Sequence, residues 1–170
     1  MLMGVLGRVL LGNTFLAGVI ISNACLILTC IFLYKLVLLE SDRKTALRSV
    51  KYLFLFPTAF ILSAVLSDSL FLALLVSCFY YARKGNWFFS GVLGFLLSLT
   101  RSIGVFMVVP LLIEYLRVKK FNPRTISIHE LKKIDRNILF LLLLPAGLTV
   151  FSVYNYYLTG DFFGFATIRR

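Results

Sequence analysis

Carboxylates are scarce in this chain: seven Asp and Glu stand against 18 Lys and Arg among 170 residues, a net charge of +11. Histidine occurs once, as His129, and tryptophan once, as Trp87. One histidine in a basic stretch cannot assemble a Ser/His/Asp set, and with no second ligand at metal spacing it reads as a solvated side chain. No CxxC pair occurs, and no glycine-rich phosphate loop precedes a helix. These absences exclude the common soluble-enzyme templates, and no metal or cofactor is expected. The three cysteines, Cys25, Cys30 and Cys78, all lie inside apolar runs. A step of five residues turns a helix by about 140°, so Cys25 and Cys30 do not share a face, and all three read as small buried apolar side chains.

Apolar residues are abundant. They make up 60% of the chain, and the mean hydropathy is +0.94, far above that of ordinary soluble domains. The expectation is an integral membrane protein, in the cell membrane if prokaryotic and in the endoplasmic reticulum membrane if eukaryotic. Fourteen of the 18 cations fall in three windows, Lys35 to Lys51, Arg83 to Lys84 and Arg117 to Arg136. Each is bounded by apolar runs, the pattern of cytoplasmic loops and not of a nucleic-acid surface.

Thr14 to Leu39 is long enough to cross a bilayer core of ~30 Å, and Arg43, Lys44, Arg48 and Lys51 place its C-terminal end in the cytoplasm. It is too long for the apolar region of a cleavable signal and lacks a small-residue cleavage site. Two blocks follow, Tyr52 to Tyr81 and Trp87 to Leu116, each polar at its centre and closed by cations. A straight helix over either would be ~45 Å long and need a tilt of about 48°, beyond the usual range. Folding each block back on itself keeps every basic cluster cytoplasmic. Pro57 and the Ser67-Asp68-Ser69 triplet are breaking points in the first, as are Ser98, Thr100, Arg101, Ser102 and Gly104 in the second.

The expected fold class is therefore all-α. It is a polytopic transmembrane helical protein with two pairs of short broken or re-entrant helices, in one transmembrane domain over residues 1–170. Residues 117–136 form a basic cytoplasmic loop carrying an amphipathic helix that lies on the anionic inner leaflet. Asn137 to Tyr157 crosses outward, with Tyr154, Tyr156 and Tyr157 as an outer aromatic anchor and Trp87, Phe88 and Phe89 as an inner one.

Asp68 and Arg101 are the residues that carry chemistry in this scheme, both at the outer tips of hairpins. A charge in the membrane costs ~2.5 to 3.5 kcal/mol on insertion scales, so each requires a partner or water. They can pair with each other, as a structural bridge, or build a wet site with Ser67, Ser69 and Ser102 as hydroxyl partners. Arg matches phosphate oxygens in bidentate fashion, and a carboxylate accepts bonds from sugar hydroxyls or takes a proton. A lipid-phosphate-linked sugar fits such a site, and a transport pathway fits it too.

The runs FPTAFILSAVLSDSLFLALL and YYARKGNWFFSGVLGFLLSLTRSIGVFMVVPLLIEYL, with Ser22-Asn23 and the tail YNYYLTGDFFGF, resemble the PIG-V-like mannosyltransferases. That family includes the enzyme adding the second mannose to glycosylphosphatidylinositol, and many prokaryotic relatives. The resemblance covers nearly the whole chain and is strongest from Pro57 to Tyr115. It implies a C-type glycosyltransferase fold that moves a sugar from a polyprenyl-phosphate carrier to a glycan or lipid acceptor on the outer or luminal side. By that resemblance Arg101 contacts the carrier phosphate, Asp68 orients substrate or handles a proton, and Asp161 matches a family position. Members are roughly twice this length and carry their catalytic base on an outer loop after a first membrane helix. This chain starts after that loop, so the expectation is a fragment or a truncated relative working with a membrane-protein partner. A small transporter or lipid-handling protein and a non-catalytic subunit are the alternatives.

Three further residues carry bland readings. Gly160-Asp161 also suits an ordinary helix cap and turn. Glu114 is expected to snorkel toward the cytoplasm or pair with Arg117 three residues on. Asn23 is expected to pack against, or hydrogen-bond to, a neighbouring helix.

Overall fold

The computed structural model describes residues 14–55, 68–118 and 136–159, and among them every regular element is helical. The chain divides into two compact units, Met1–Tyr80 and Tyr81–Arg170.

In the first unit, α1 (Thr14–Leu38) has 25 residues and contains no proline, which makes it about 38 Å long. Its part Gly18–Leu38 is long and apolar enough to cross a membrane. Polar side chains inside it are satisfied by its own backbone: Asn23 Nδ2 donates to the Val19 carbonyl and Thr29 Oγ1 to that of Cys25, both at 2.8 Å. Asn23 thus bonds within its own helix and not to a neighbour, the cheapest solution where no water is at hand. Gly18, Ser22, Cys25 and Thr29 form a buried stripe at helical spacing, while Ile20, Ile27, Leu28 and Ile31 are exposed.

The chain turns at Leu39–Asp42 through bonds from Leu39, Glu40 and Ser41 to the last carbonyls of α1. The Asp42 carbonyl then accepts the Ala46 N–H at 3.0 Å, and α2 (Arg43–Leu55) begins, packing on α1. The basic cluster after α1 is therefore itself a helix, beginning nine residues before the block expected from Tyr52. Arg, Lys, Ala and Leu are strong helix formers, which accounts for it.

α3 (Asp68–Arg83) opens with Asp68 in its first turn and closes with Arg83 in its last, both suited to the helix dipole. Ser69, Ala73, Val76, Ser77, Cys78, Tyr80 and Ala82 are its buried positions, and Tyr80 meets Phe32 of α1 edge-on with ring centroids 5.5 Å apart. The expected break at Pro57 and Ser67 lies outside the described residues.

The second unit starts with a tight C-terminal cap. The Gly85 N–H bonds the Ala82 carbonyl and the Asn86 N–H that of Tyr81, both at 3.0 Å, with Gly85 at φ 77°. This pair of bonds needs a left-handed residue at Gly85. α4 (Trp87–Thr100) has 14 residues, hence about 21 Å, too short for a bilayer core. At Arg101 the backbone becomes extended (φ −149°, ψ 138°), inside the polar stretch Ser98–Gly104 where a fold-back was expected. A 3-10 segment, Ser102–Met107, and α5 (Val108–Val118) follow.

The chain then reverses. Trp87, at the start of α4, packs edge-on against Tyr115, near the end of α5, with centroids 4.8 Å apart. A straight helix would separate these residues by about 42 Å. Close approach at the tip depends on Gly104, where a Cβ would sit 2.7 Å from the Leu97 carbonyl oxygen.

A second 3-10 segment, Arg136–Leu142, leads into α6 (Leu143–Thr159). Pro145 lies in the first turn of α6 and Pro110 in that of α5, where a missing N–H disturbs a helix least. This last stretch runs parallel to α4 and touches it through small residues. A Cβ on Gly91 would meet the Phe140 carbonyl oxygen at 2.5 Å, one on Gly94 the Leu144 side chain at 2.6 Å, and one on Gly147 the Phe95 carbonyl oxygen at 2.7 Å. Small-residue seams of this kind let helix backbones approach where no hydrophobic drive separates lipid from protein. The basic loop 117–136 with its expected helix falls, but for its ends, outside the described residues.

Candidate functional site

Three polar places stand out among the described residues. The first is the start of α3, where Asp68 is half-buried and Ser69 fully buried. Both lie on the positive end of the helix, which favours an ionised carboxylate or a bound anion. Ser67 and Asp161 lie outside the described residues.

The second is the tip of the α4/α5 hairpin. Arg101 is half-buried between the C-terminus of α4 and the 3-10 segment that contains Ser102. Its N–H bonds the Leu97 carbonyl at 3.3 Å, its own carbonyl accepts from the Gly104 N–H at 2.9 Å, and Thr100 Oγ1 donates to the Leu97 carbonyl at 2.7 Å. The extended residue therefore stays pinned by its backbone to its neighbours on both sides, at the end of α4 that carries the helix's partial negative charge. Asp68 and Ser69 belong to the unit ending at Tyr80; Arg101 and Ser102 belong to the one beginning at Tyr81.

The third place lies at the opposite end of the hairpin, and sequence reasoning assigned it only in part. Glu114 is 7% exposed, and its carboxylate bonds Arg83 Nε, with Arg117 Nη1 farther off at 3.8 Å. The expected partner, Arg117, is thus the weaker one. The main partner lies 31 residues away in sequence, across the Gly85 turn and both arms of the hairpin. The neighbouring residues in the chain pair as rings: Trp87 packs edge-on on Tyr115, and Tyr81 stacks on Phe89 with centroids 5.3 Å apart. A carboxylate held between two guanidiniums acts as a clamp on the base of the hairpin.

Ser98 carries a further polar atom: its hydroxyl is fully buried at the α4/α6 seam with no hydrogen-bond partner. It faces Gly147, whose added Cβ would approach the Ser98 Cβ to 2.9 Å, so serine is there for size. Sequence reasoning took Ser98 only as part of a break; the spacing Ser90, Gly91, Gly94, Ser98 is the signal that could have marked this seam. The cysteines are free, with Cys25 and Cys78 buried and Cys30 half-buried.

Comparison with protein-family models, with curated proteins and with solved structures finds no match to this chain. What the fold and the sites define is a class: a protein that is all-α among the described residues, with one helix there long and apolar enough to cross a membrane and a pinned helical hairpin bearing an arginine at its tip.

Proposed function

We propose that the chain is a polytopic membrane protein whose hairpin tips handle a polyprenyl-phosphate-linked sugar, as a mannosyltransferase-like transferase of the C type. The observation that carries the reading is the reversal at Arg101. It joins Arg83 to Glu114 and Trp87 to Tyr115 at one end and leaves the arginine at the other. With the cations of both ends of the block on the cytoplasmic side, Arg101 faces outward at the depth of half a bilayer.

The distribution of side chains supports the membrane setting. Ser22, Thr29, Ser69, Ser77, Ser90, Ser98 and Glu114 are buried, while Ile103, Phe106, Val109, Leu112 and Ile113 are exposed around the hairpin. A run of exposed large apolar side chains of this kind is what a lipid-facing surface presents. In this setting Arg101, with Ser102 next to it in the chain, is the group we assign to the leaving phosphate. The roles that the resemblance implies for Asp68, with Ser67 and Ser69, are a separate assignment in the other unit, to substrate orientation or proton handling.

The test is transfer from a polyprenyl-phosphate sugar by membranes containing the protein. Asp68→Asn and Arg101→Ala are expected to abolish transfer with insertion intact, and normal transfer by both variants rejects the reading. In that event a non-catalytic membrane subunit takes its place, a role favoured by the closed glycine seam between α4 and α6.

A further inference from the structure

α2 packs on α1 by one narrow face: Ala46 is fully buried, with Val50 and Leu53 half-buried four and seven residues on. Its opposite side is charged. Lys44, Arg48 and Lys51 follow at the i, i+4 and i+7 spacing that places them in one row, and all three are exposed, as is Arg43. At 100° per residue the row stands roughly opposite the buried face. The helix contains no acidic residue. Like charges four apart destabilise a helix, so this one calls for negative charge supplied from outside itself.

Exposed Leu47, Tyr52, Phe54 and Leu55 flank the cations. The short turn Leu39–Asp42 ties α2 to the end of α1, which is long and apolar enough to cross a membrane. The surface within reach of α2 is then the leaflet in which α1 ends, and phosphate-bearing headgroups match the row in charge.

We propose that α2 is an interfacial helix that binds the anionic lipid headgroups of that leaflet. Leu47, Phe54 and Leu55 enter the boundary of the acyl chains, and the cations extend to the phosphates. The inference rests on the membrane reading above, and it assigns α2 a role the topology alone does not require: holding the end of the first span by a charge-dependent grip.

The experiment is hydrogen–deuterium exchange of the full chain reconstituted in phosphatidylcholine vesicles, with and without about 30% phosphatidylglycerol. Each cation near a charged leaflet is worth about fivefold, so exchange of the 43–55 amides is expected to slow by about tenfold or more in the charged vesicles and to recover in high salt. Combined Lys44→Gln, Arg48→Gln and Lys51→Gln removes the response, while Lys44→Arg with Lys51→Arg keeps it. Protection of α1 reports that each variant is folded and inserted. Equal exchange of α2 in the two vesicles, with α1 protected, overturns the inference and leaves the membrane reading standing. Free exchange of α1 in both overturns the two together. Slowing of α2 by soluble polyglutamate without any response to phosphatidylglycerol also overturns it, in favour of an acidic protein partner.

Discussion

Glu114 and its two arginines separate what burial does to an ion pair from what proximity does. Removing Glu114 takes away the carboxylate that Arg83 bonds, and loss of one partner of a largely buried pair typically costs about 3 kcal/mol or more. Arg117 is 61% exposed and 3.8 Å away, so its loss costs under about 1 kcal/mol. Thermal unfolding of purified Glu114→Ala and Arg117→Ala should therefore rank them clearly, with the first far less stable. A reversed order would mean that the hairpin base is held by something else. Ser98 gives the opposite expectation. Its buried hydroxyl makes no bond, and removing an unsatisfied polar group relieves a desolvation cost of about 1 kcal/mol. Ser98→Ala should be neutral or stabilising in the same assay. Sequence alone showed that Glu114 needed a cation and supplied the nearest one, Arg117; only the return of the chain could bring Arg83 forward.

Among the elements, the hairpin depends on how closely α4 meets the 136–159 stretch. The three glycines differ in what a methyl group would strike. At Gly91 it is a backbone carbonyl oxygen, at 2.5 Å, which cannot move without shifting the chain; at Gly94 it is the end of the Leu144 side chain. Gly91→Ala should cost about 1 to 3 kcal/mol, and Gly94→Ala should cost less because Leu144 can change rotamer. Detergent-unfolding midpoints of the two variants check the order. The break in the second block was legible, since Ser98 to Gly104 interrupt an apolar run too long for one span. The helical state of Arg43–Leu55 was not. A dense run of cations reads first as a loop, and the apolar positions Ala46, Val50 and Leu53 that seat it are too few to mark a face. The candidate residues at the start of α3 and at the hairpin tip were chosen as charges in apolar surroundings, a signal that marks a polar place without naming its partner.

For the whole molecule, the reversal at Arg101 makes a prediction about sidedness. In a background with Cys25, Cys30 and Cys78 replaced by Ala, Arg101→Cys should react with an impermeant thiol reagent applied to the outer face of sealed vesicles. Lys84→Cys should react only once the membrane is opened. Labelling of Lys84→Cys from outside would remove the hairpin from the membrane and the proposed site with it.

The parallel seam also sets an order of events during synthesis. Gly91 and Gly94 leave the ribosome well before Phe140 and Leu144, the residues that cover them. Until those arrive, the newborn hairpin presents a bare groove, and its final seating waits on chain not yet translated. A ribosome stalled before residue 136 would hold an intermediate with that groove open, the kind of exposed helix face that membrane insertases and quality-control proteases recognise.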